Sequence, residues 1–207
     1  MPRHDEGYFA SKDGTRLFWS QTVPDQEPKA WLGVVHGYGD HSGRYKQPIE
    51  AFVKQGFGVL AFDYRGHGKA DGARADVNKW DDYLDDMRAF VARLIDAAKG
   101  KPVFIVSHSN GSLITTHFAV NPPPELKGVV LVGPFYALAF EPPPLKPLCA
   151  KLLKGLLPGL KIGNELKPTD LSRDLAWQEE TKNDPLYLHH TTPRWFFETQ
   201  AAQARLA

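Results

Sequence analysis

A single cysteine, Cys149, stands in a chain of 207 residues. That excludes an intramolecular disulfide and a cysteine-built zinc site, each of which needs at least two thiols. No run approaches the roughly 18 consecutive apolar residues of a membrane span. The opening MPRHDEGYF lacks the apolar stretch of a secretory signal, and a reducing, cytoplasmic setting is expected. Charge of neither sign is in excess: 25 Lys+Arg face 24 Asp+Glu, a net +1. There is no basic surplus to hold a phosphate backbone, so nucleic acid is not an expected partner, and no acidic bulk to keep a chain disordered. Neither G-x-G-x-x-G nor G-x-x-x-x-G-K-[ST] occurs, and no cluster has the H-E-x-x-H spacing; no metal and no cofactor are expected. What the chain does have is 42% hydrophobic and 12% aromatic residues, enough for the core of one domain, with room for an insertion.

Periodicity orders the first two thirds. Short apolar pieces around Asp13-Gly14 predict a hairpin on a two-residue turn, Tyr8 to Ser11 against Thr15 to Gln21. Ala30 to Val35 is continuously apolar, as a strand buried on both faces would be. Ile49, Phe52 and Val53 fall at helical spacing and stop at Gly56, and Gly58 to Phe62 is strand again. The clearest helix is Lys79 to Lys99, with apolar residues every three and four positions, Asn78 as cap and Lys99-Gly100 closing it. A buried strand Val103 to Val106, a helix Ser112 to Val120 and a strand Lys127 to Val132 follow. Alternating strand and helix is the signature of parallel βαβ units, an α/β fold with helices on both sheet faces. After Gly133 the layering stops, and residues 134–207 read as a helical insertion.

Two segments carry chemistry. Val103-Phe-Ile-Val-Ser-His-Ser-Asn-Gly-Ser112 runs from a buried strand through a tight turn into a helix, the context of a nucleophile elbow. Such a turn strains one residue and needs small neighbours two positions away, as Ser107 and Gly111 are. Upstream, Val34-Val-His-Gly-Tyr-Gly39 is a strand opening into a glycine-rich turn, able to present backbone N–H groups where an oxyanion forms.

His36-Gly-Tyr-Gly-Asp-His-Ser-Gly-Arg-Tyr45, Asp63-Tyr-Arg-Gly-His-Gly68 and Ser107-His-Ser-Asn-Gly111, in this order and spacing, resemble the α/β-hydrolases of the monoacylglycerol lipase and lysophospholipase-like group. Asn183-Asp-Pro-Leu186 and Arg194-Trp195 extend the resemblance over nearly the whole chain. It implies residues 1–133 as the N-terminal part of a hydrolase core and 134–207 as a helical cap and the start of the return to the core. It also implies Ser109 as nucleophile and the backbone N–H groups of Tyr38 and Asn110 as the oxyanion hole. The substrate it implies is a lipid or small acyl ester. Two positions depart from the family's habit: serine at 107 in place of glycine, and asparagine at 110 in place of an apolar residue or glutamine. His36, His41 and His67 are expected to brace the loops around the site, His189 and His190 to lie on the cap, and His117 to pack on a helix face. His108 is expected to point away from the serine, and Asp63 and Arg65 to form an ion pair or loop anchor.

In this fold the acid and the histidine follow the serine on later strands. The chain stops at Ala207, so the sheet is expected to lack two or three strand–helix units of about 30 residues each. The triad acid and base are then not in this sequence. An open strand edge of that kind invites self-association. Within the cap, Leu145, Leu148, Cys149, Leu152, Leu153, Leu156, Leu157 and Leu160 make an apolar stripe among Lys146, Lys151, Lys154 and Lys161. Either the stripe packs on the core, or Leu152 and Leu156 line the acyl site and meet a lipid surface transiently. Two functions remain open: a serine ester hydrolase, and a non-catalytic or fragmentary hydrolase fold that serves as a binding module.

Overall fold

The computed structural model describes residues 1–138, 155–164 and 166–206. Six strands form one sheet: β1 (Arg3–Ala10), β2 (Arg16–Val23), β3 (Ala30–Val35), β4 (Phe57–Asp63), β5 (Val103–His108) and β6 (Leu126–Val132). Their order across the sheet is β1-β2-β4-β3-β5-β6. β1 and β2 are antiparallel to their neighbours, while β4, β3, β5 and β6 run parallel. Helix α1 (Lys46–Lys54) lies on one face; α2 (Trp80–Ala98) and α3 (Asn110–Phe118) lie on the other.

The continuous apolar runs seen in the sequence are explained by this double cover. In β3 and β4, Leu32, Val34, Val59 and Ala61 pack beneath α1, while Trp31, Val35, Leu60 and Phe62 pack beneath α2. Adjacent residues point to opposite faces, and both faces are dry. β6 differs. It is the edge strand, and Val130 and Val132 on the α1 side are 54% and 49% exposed.

Several local expectations are corrected. The hairpin loop is not the two-residue turn expected at Asp13-Gly14. Ser11 N–H donates to Thr15 C=O (2.8 Å), enclosing three residues with Gly14 at φ 84°. This is a type of loop in which a left-handed third residue restores the strand twist. The α2 cap is Lys79 rather than Asn78, because Asp82 reaches back to accept the Lys79 N–H (3.2 Å). Lys99 itself takes the left-handed turn at φ 47°.

Beyond Gly133 the described elements are a two-residue antiparallel pair, β7 (Ile162–Gly163) with β8 (His190–Thr191), and the helices α4 (Pro168–Leu171), α5 (Leu175–Asn183) and α6 (Pro193–Ala204). α6 buries Trp195, Thr199 and Ala202 against the α2–α3 side of the core. His117 of α3, expected on a helix face, is tied into this packing: its Nε2 lies 3.0 Å from the Ala202 C=O, which can only accept, so Nε2 carries the proton and donates.

Candidate active site

Ser109 joins β5 to α3 with φ 51° and ψ −117°, a sparsely populated backbone state for a residue with a side chain. The surroundings over-determine it. Its N–H donates to Val132 C=O on β6 (2.9 Å), and its C=O accepts from Ser112, Leu113 and Phe135 (3.0, 3.2 and 3.2 Å). Close approach requires Gly111, since a Cβ there would lie 2.3 Å from the His36 carbonyl oxygen. Ser107 fits at this close approach because it is buried and its hydroxyl donates to Ser112 Oγ (3.2 Å).

The turn after β3 lies directly beside the elbow. A Cβ on Gly37 would stand 3.3 Å from Ser109 Cβ and 3.0 Å from His108 Nδ1. The Gly37 N–H donates to Tyr45 Oη (3.2 Å), which in turn lies 3.0 Å from His108 Nδ1. His108 thus faces Tyr45. The Gly37 C=O accepts from His36 Nδ1 (2.7 Å) and Tyr64 Oη (2.8 Å). A carbonyl can only accept, so His36 carries its proton on Nδ1. Tyr38 follows, its ring stacked on Trp195 of α6 at 3.7 Å and its hydroxyl donating to His190 C=O (3.0 Å) or Ala75 C=O (3.2 Å). Burial pushes the Tyr38 phenol above its ordinary range.

Asn110 opens α3, so its backbone N–H has no acceptor within the helix. Its side chain is fully buried and donates to Tyr64 Oη (3.4 Å). Ser109, Gly37, Tyr38 and Asn110 are therefore brought together by two turns at the carboxyl ends of β3 and β5. Among the described residues no imidazole is hydrogen-bonded to Ser109.

The expected braces are present, with partners that the sequence did not name. His41 Nε2 lies 2.8 Å from Asp184 Oδ2, and Arg44 Nη1 lies 3.3 Å from the same oxygen. Arg44 also pairs with Asp40 (3.2 Å), donates to Thr181 Oγ1, and is flanked by the rings of Trp177 and Tyr187. These contacts hold Asp184 below the ordinary carboxylate range although its partial burial acts the other way. A second tie joins Asp76 to Arg194 and to Thr192 Oγ1 (2.8 Å). Asp63 and Arg65 are loop anchors, but they do not pair with each other. Asp63 accepts the N–H groups of Ser42 (2.7 Å) and Lys69 (2.8 Å), while Arg65 is locked to Asp86 of α2. His67 donates from Nδ1 to Arg65 C=O (3.1 Å), and burial pushes His36 and His67 below the usual imidazole range.

Leu152 lies outside the described residues, as do Leu145, Leu148, Cys149 and Leu153. Leu156, Leu157 and Leu160 are described and exposed, the first two at 78% and 54%, so this part of the stripe does not pack on the core. Among the described residues no helix is long and apolar enough to cross a membrane.

Residues 26–207 match the model of the Hydrolase_4 family, described as serine aminopeptidase, S33. The chain is 30% identical over 188 residues to the monoacylglycerol lipase of Mycolicibacterium smegmatis, covering 91% of this chain and 67% of that protein. It is 32% identical over 187 residues to the monoglyceride lipase of Homo sapiens, covering 90% and 61%. The crystal structure of Paleococcus ferrophilus monoacylglycerol lipase superposes with a TM-score of 0.77 at 30% identity, over 91% of this chain and 70% of that one. The chain thus spans roughly two thirds of the length of these relatives. By the match over residues 26–207 and the shared architecture, the chain belongs to the Hydrolase_4 family and has the α/β-hydrolase fold.

Proposed function

We propose that this chain carries the nucleophilic half of a serine ester hydrolase acting on lipid esters of the monoacylglycerol or lysophospholipid kind. Ser109 attacks the ester carbonyl, the N–H groups of Tyr38 and Asn110 hold the oxyanion, and water resolves the acyl-enzyme. A histidine and a carboxylate outside these 207 residues supply the base and its orienting acid. The observation that carries the reading is the strained Ser109 backbone, φ 51°, with the Gly37 turn against its Cβ. A nucleophile so placed stands clear of the sheet beside donors for the developing charge. The described residues after Gly133 act as the cap over the acyl site, with exposed Leu156 lining it or meeting a lipid surface from the cytoplasmic side. The open edge of β6 is where self-association would occur.

A fluorophosphonate probe, located by peptide mass spectrometry, is expected on Ser109. The reaction should be slow without a base, faster in a chain extended to include one, and absent in Ser109→Ala. Labelling that survives that substitution refutes the assignment. A binding-module reading is favoured by one observation, the lack of an imidazole on Ser109 among the described residues. An extended chain that binds a monoacylglycerol ether without hydrolysing the corresponding ester would establish that reading instead.

A further inference from the structure

We infer that Tyr64 is a positioning residue whose hydroxyl aims the Tyr38 N–H at the site over Ser109 by holding the Gly37 carbonyl on the core side. The inference rests on the hydrolase reading above. No cis peptide occurs among the described residues, so the Gly37–Tyr38 peptide is trans and its C=O and N–H point in opposite directions. Fixing one fixes the other. Besides a longer bond from the Asp40 N–H (3.4 Å), the carbonyl is gripped by Tyr64 Oη at 2.8 Å and His36 Nδ1 at 2.7 Å. Both donors come from the core, because Tyr64 is 1% exposed and His36 fully buried. The Gly37 N–H is already donated to Tyr45, and the next peptide of the turn offers the Tyr38 N–H.

The same hydroxyl serves the other half of the site. Tyr64 Oη accepts from Asn110 Nδ2 (3.4 Å) while donating to Gly37 C=O. One oxygen thus links the Gly37 carbonyl to the side chain of Asn110, the residue whose N–H would complete the oxyanion hole. Its own place is set by the stack on His36 (centroids 4.1 Å, 11°) and by the edge of Tyr83 (5.2 Å, 76°). Burial keeps the phenol protonated far above neutral pH, so the donor is constant.

Removing one whole oxyanion donor costs about a hundred- to a thousandfold; loosening its aim should cost less, about ten- to a hundredfold. In saturation kinetics of fluorophosphonate labelling, Tyr64→Phe is expected to lower the maximal labelling rate by that factor. The half-saturating concentration should move less than about threefold, since the contact is made in the transition state. Tyr64→p-aminophenylalanine, which keeps a donor at similar reach, should restore most of the rate. Tyr83→Phe keeps the ring whose edge meets Tyr64 and removes only a hydroxyl that bonds neither Tyr64 nor Gly37, so it should leave the rate unchanged. In parallel, the Gly37 carbonyl ¹³C and Tyr38 amide ¹⁵N resonances should move in Tyr64→Phe and stay in Tyr83→Phe. Resonances that do not move, or an equal rate loss in Tyr83→Phe, overturn the inference. If the parent is not labelled on Ser109, the hydrolase reading fails, and the resonances alone decide the role of Tyr64. Should Tyr64→Phe not fold, the parent's Tyr64 hydroxyl proton decides: slow exchange with an NOE to Gly37 upholds the grip, and free exchange with water overturns it.

Discussion

Asp86→Ala should be among the most damaging single changes in the core, and the double change with Arg65 should undo much of the damage. Asp86 is fully buried on α2 and accepts from Arg65 N (3.1 Å), Nε (2.9 Å) and Nη2 (2.7 Å). The same guanidinium donates to Asp13 Oδ2 (2.8 Å) and Ser11 Oγ (3.2 Å), so Arg65 ties α2 to the hairpin loop. Burial pushes the Asp86 carboxyl above the ordinary range, against the pull of Arg65. The pair as a whole therefore adds little net stability, whereas Asp86→Ala strips the buried end of Arg65 of its three bonds and leaves it, as acids, only the more exposed Asp13 and, at 3.6 Å, Asp82. Breaking one partner of such a pair costs roughly 3–5 kcal/mol. At about 2–4 °C per kcal/mol for a chain of this size, a loss near 4 kcal/mol lowers Tm by about 8–16 °C. Arg65→Met with Asp86→Leu replaces both charges by apolar volume and should recover at least about 2 kcal/mol of the loss. Asp13, half exposed, would then return to water. Urea titrations of parent, single and double variants at one pH measure this. A double variant no more stable than Asp86→Ala refutes the argument.

Other consequences are as direct. His36 and His67 are neutral and buried, with pKa values below the ordinary 6.5. Below that pH the unfolded chain binds protons that the fold does not, so stability should be level above about pH 6.5 and fall beneath it. The slope is up to about 1.4 kcal/mol per pH unit for each group until its folded pKa is reached. Urea midpoints at pH 7.5, 6.5 and 5.5 check this, and a midpoint that rises on acidification contradicts it. Gly111→Ala should cost about 3 kcal/mol, because the new Cβ would meet the backbone oxygen of His36 at 2.3 Å and backbone cannot yield as a side chain can; a thermal melt within 2 °C of the parent would exclude that clash. Replacing exposed Leu156 and Leu157 with Ser should change stability by less than about 0.5 kcal/mol. The same change should weaken sedimentation with anionic vesicles, and unaltered binding would remove the lipid-contact role of these leucines.

The parts of the fold legible in the sequence are those in which burial writes a period. The α2 stripe from Trp80 to Ala98 and the dry runs of β3 and β4 each record which faces are covered. Arg3 to Glu6 of β1 do not, because an edge segment wet on both sides has no alternation to show. For the site, Ser109, Gly37 and Gly111 could be read because an elbow and a glycine-rich turn are local chemistry. The ties around them could not. Arg44 meets Asp184 across 140 positions, Arg194 meets Asp76 across 118, and Tyr64 reaches Gly37 across 27. Nothing in a charged or phenolic residue names its distant partner, since any of several acids could have paired with Arg44. Motif spelling marked D-Y-R-G-H-G as one unit. Only packing shows that Asp63 holds backbone N–H groups, Tyr64 a carbonyl and Arg65 a helix.

These long-range ties give the turn after β3 more than one task. Within nine residues it presents Gly37 to Ser109, stacks Tyr38 on Trp195, accepts the Leu188 N–H at Gly39 (2.8 Å) and sends His41 and Arg44 to Asp184. Trp195, Leu188 and Asp184 all lie in the region after Gly133. A shift of that region therefore pulls on the same short turn whose Gly37–Tyr38 peptide borders Ser109. The core side resists through Tyr64 and His36, which hold the Gly37 carbonyl from beneath. The peptide sits between two grips, one rigid and buried in the sheet, one carried on helices that are themselves more exposed. Geometry at Ser109 is consequently not a property of the elbow alone. It depends on how residues 184–195 are seated, some 75 positions or more further along the chain.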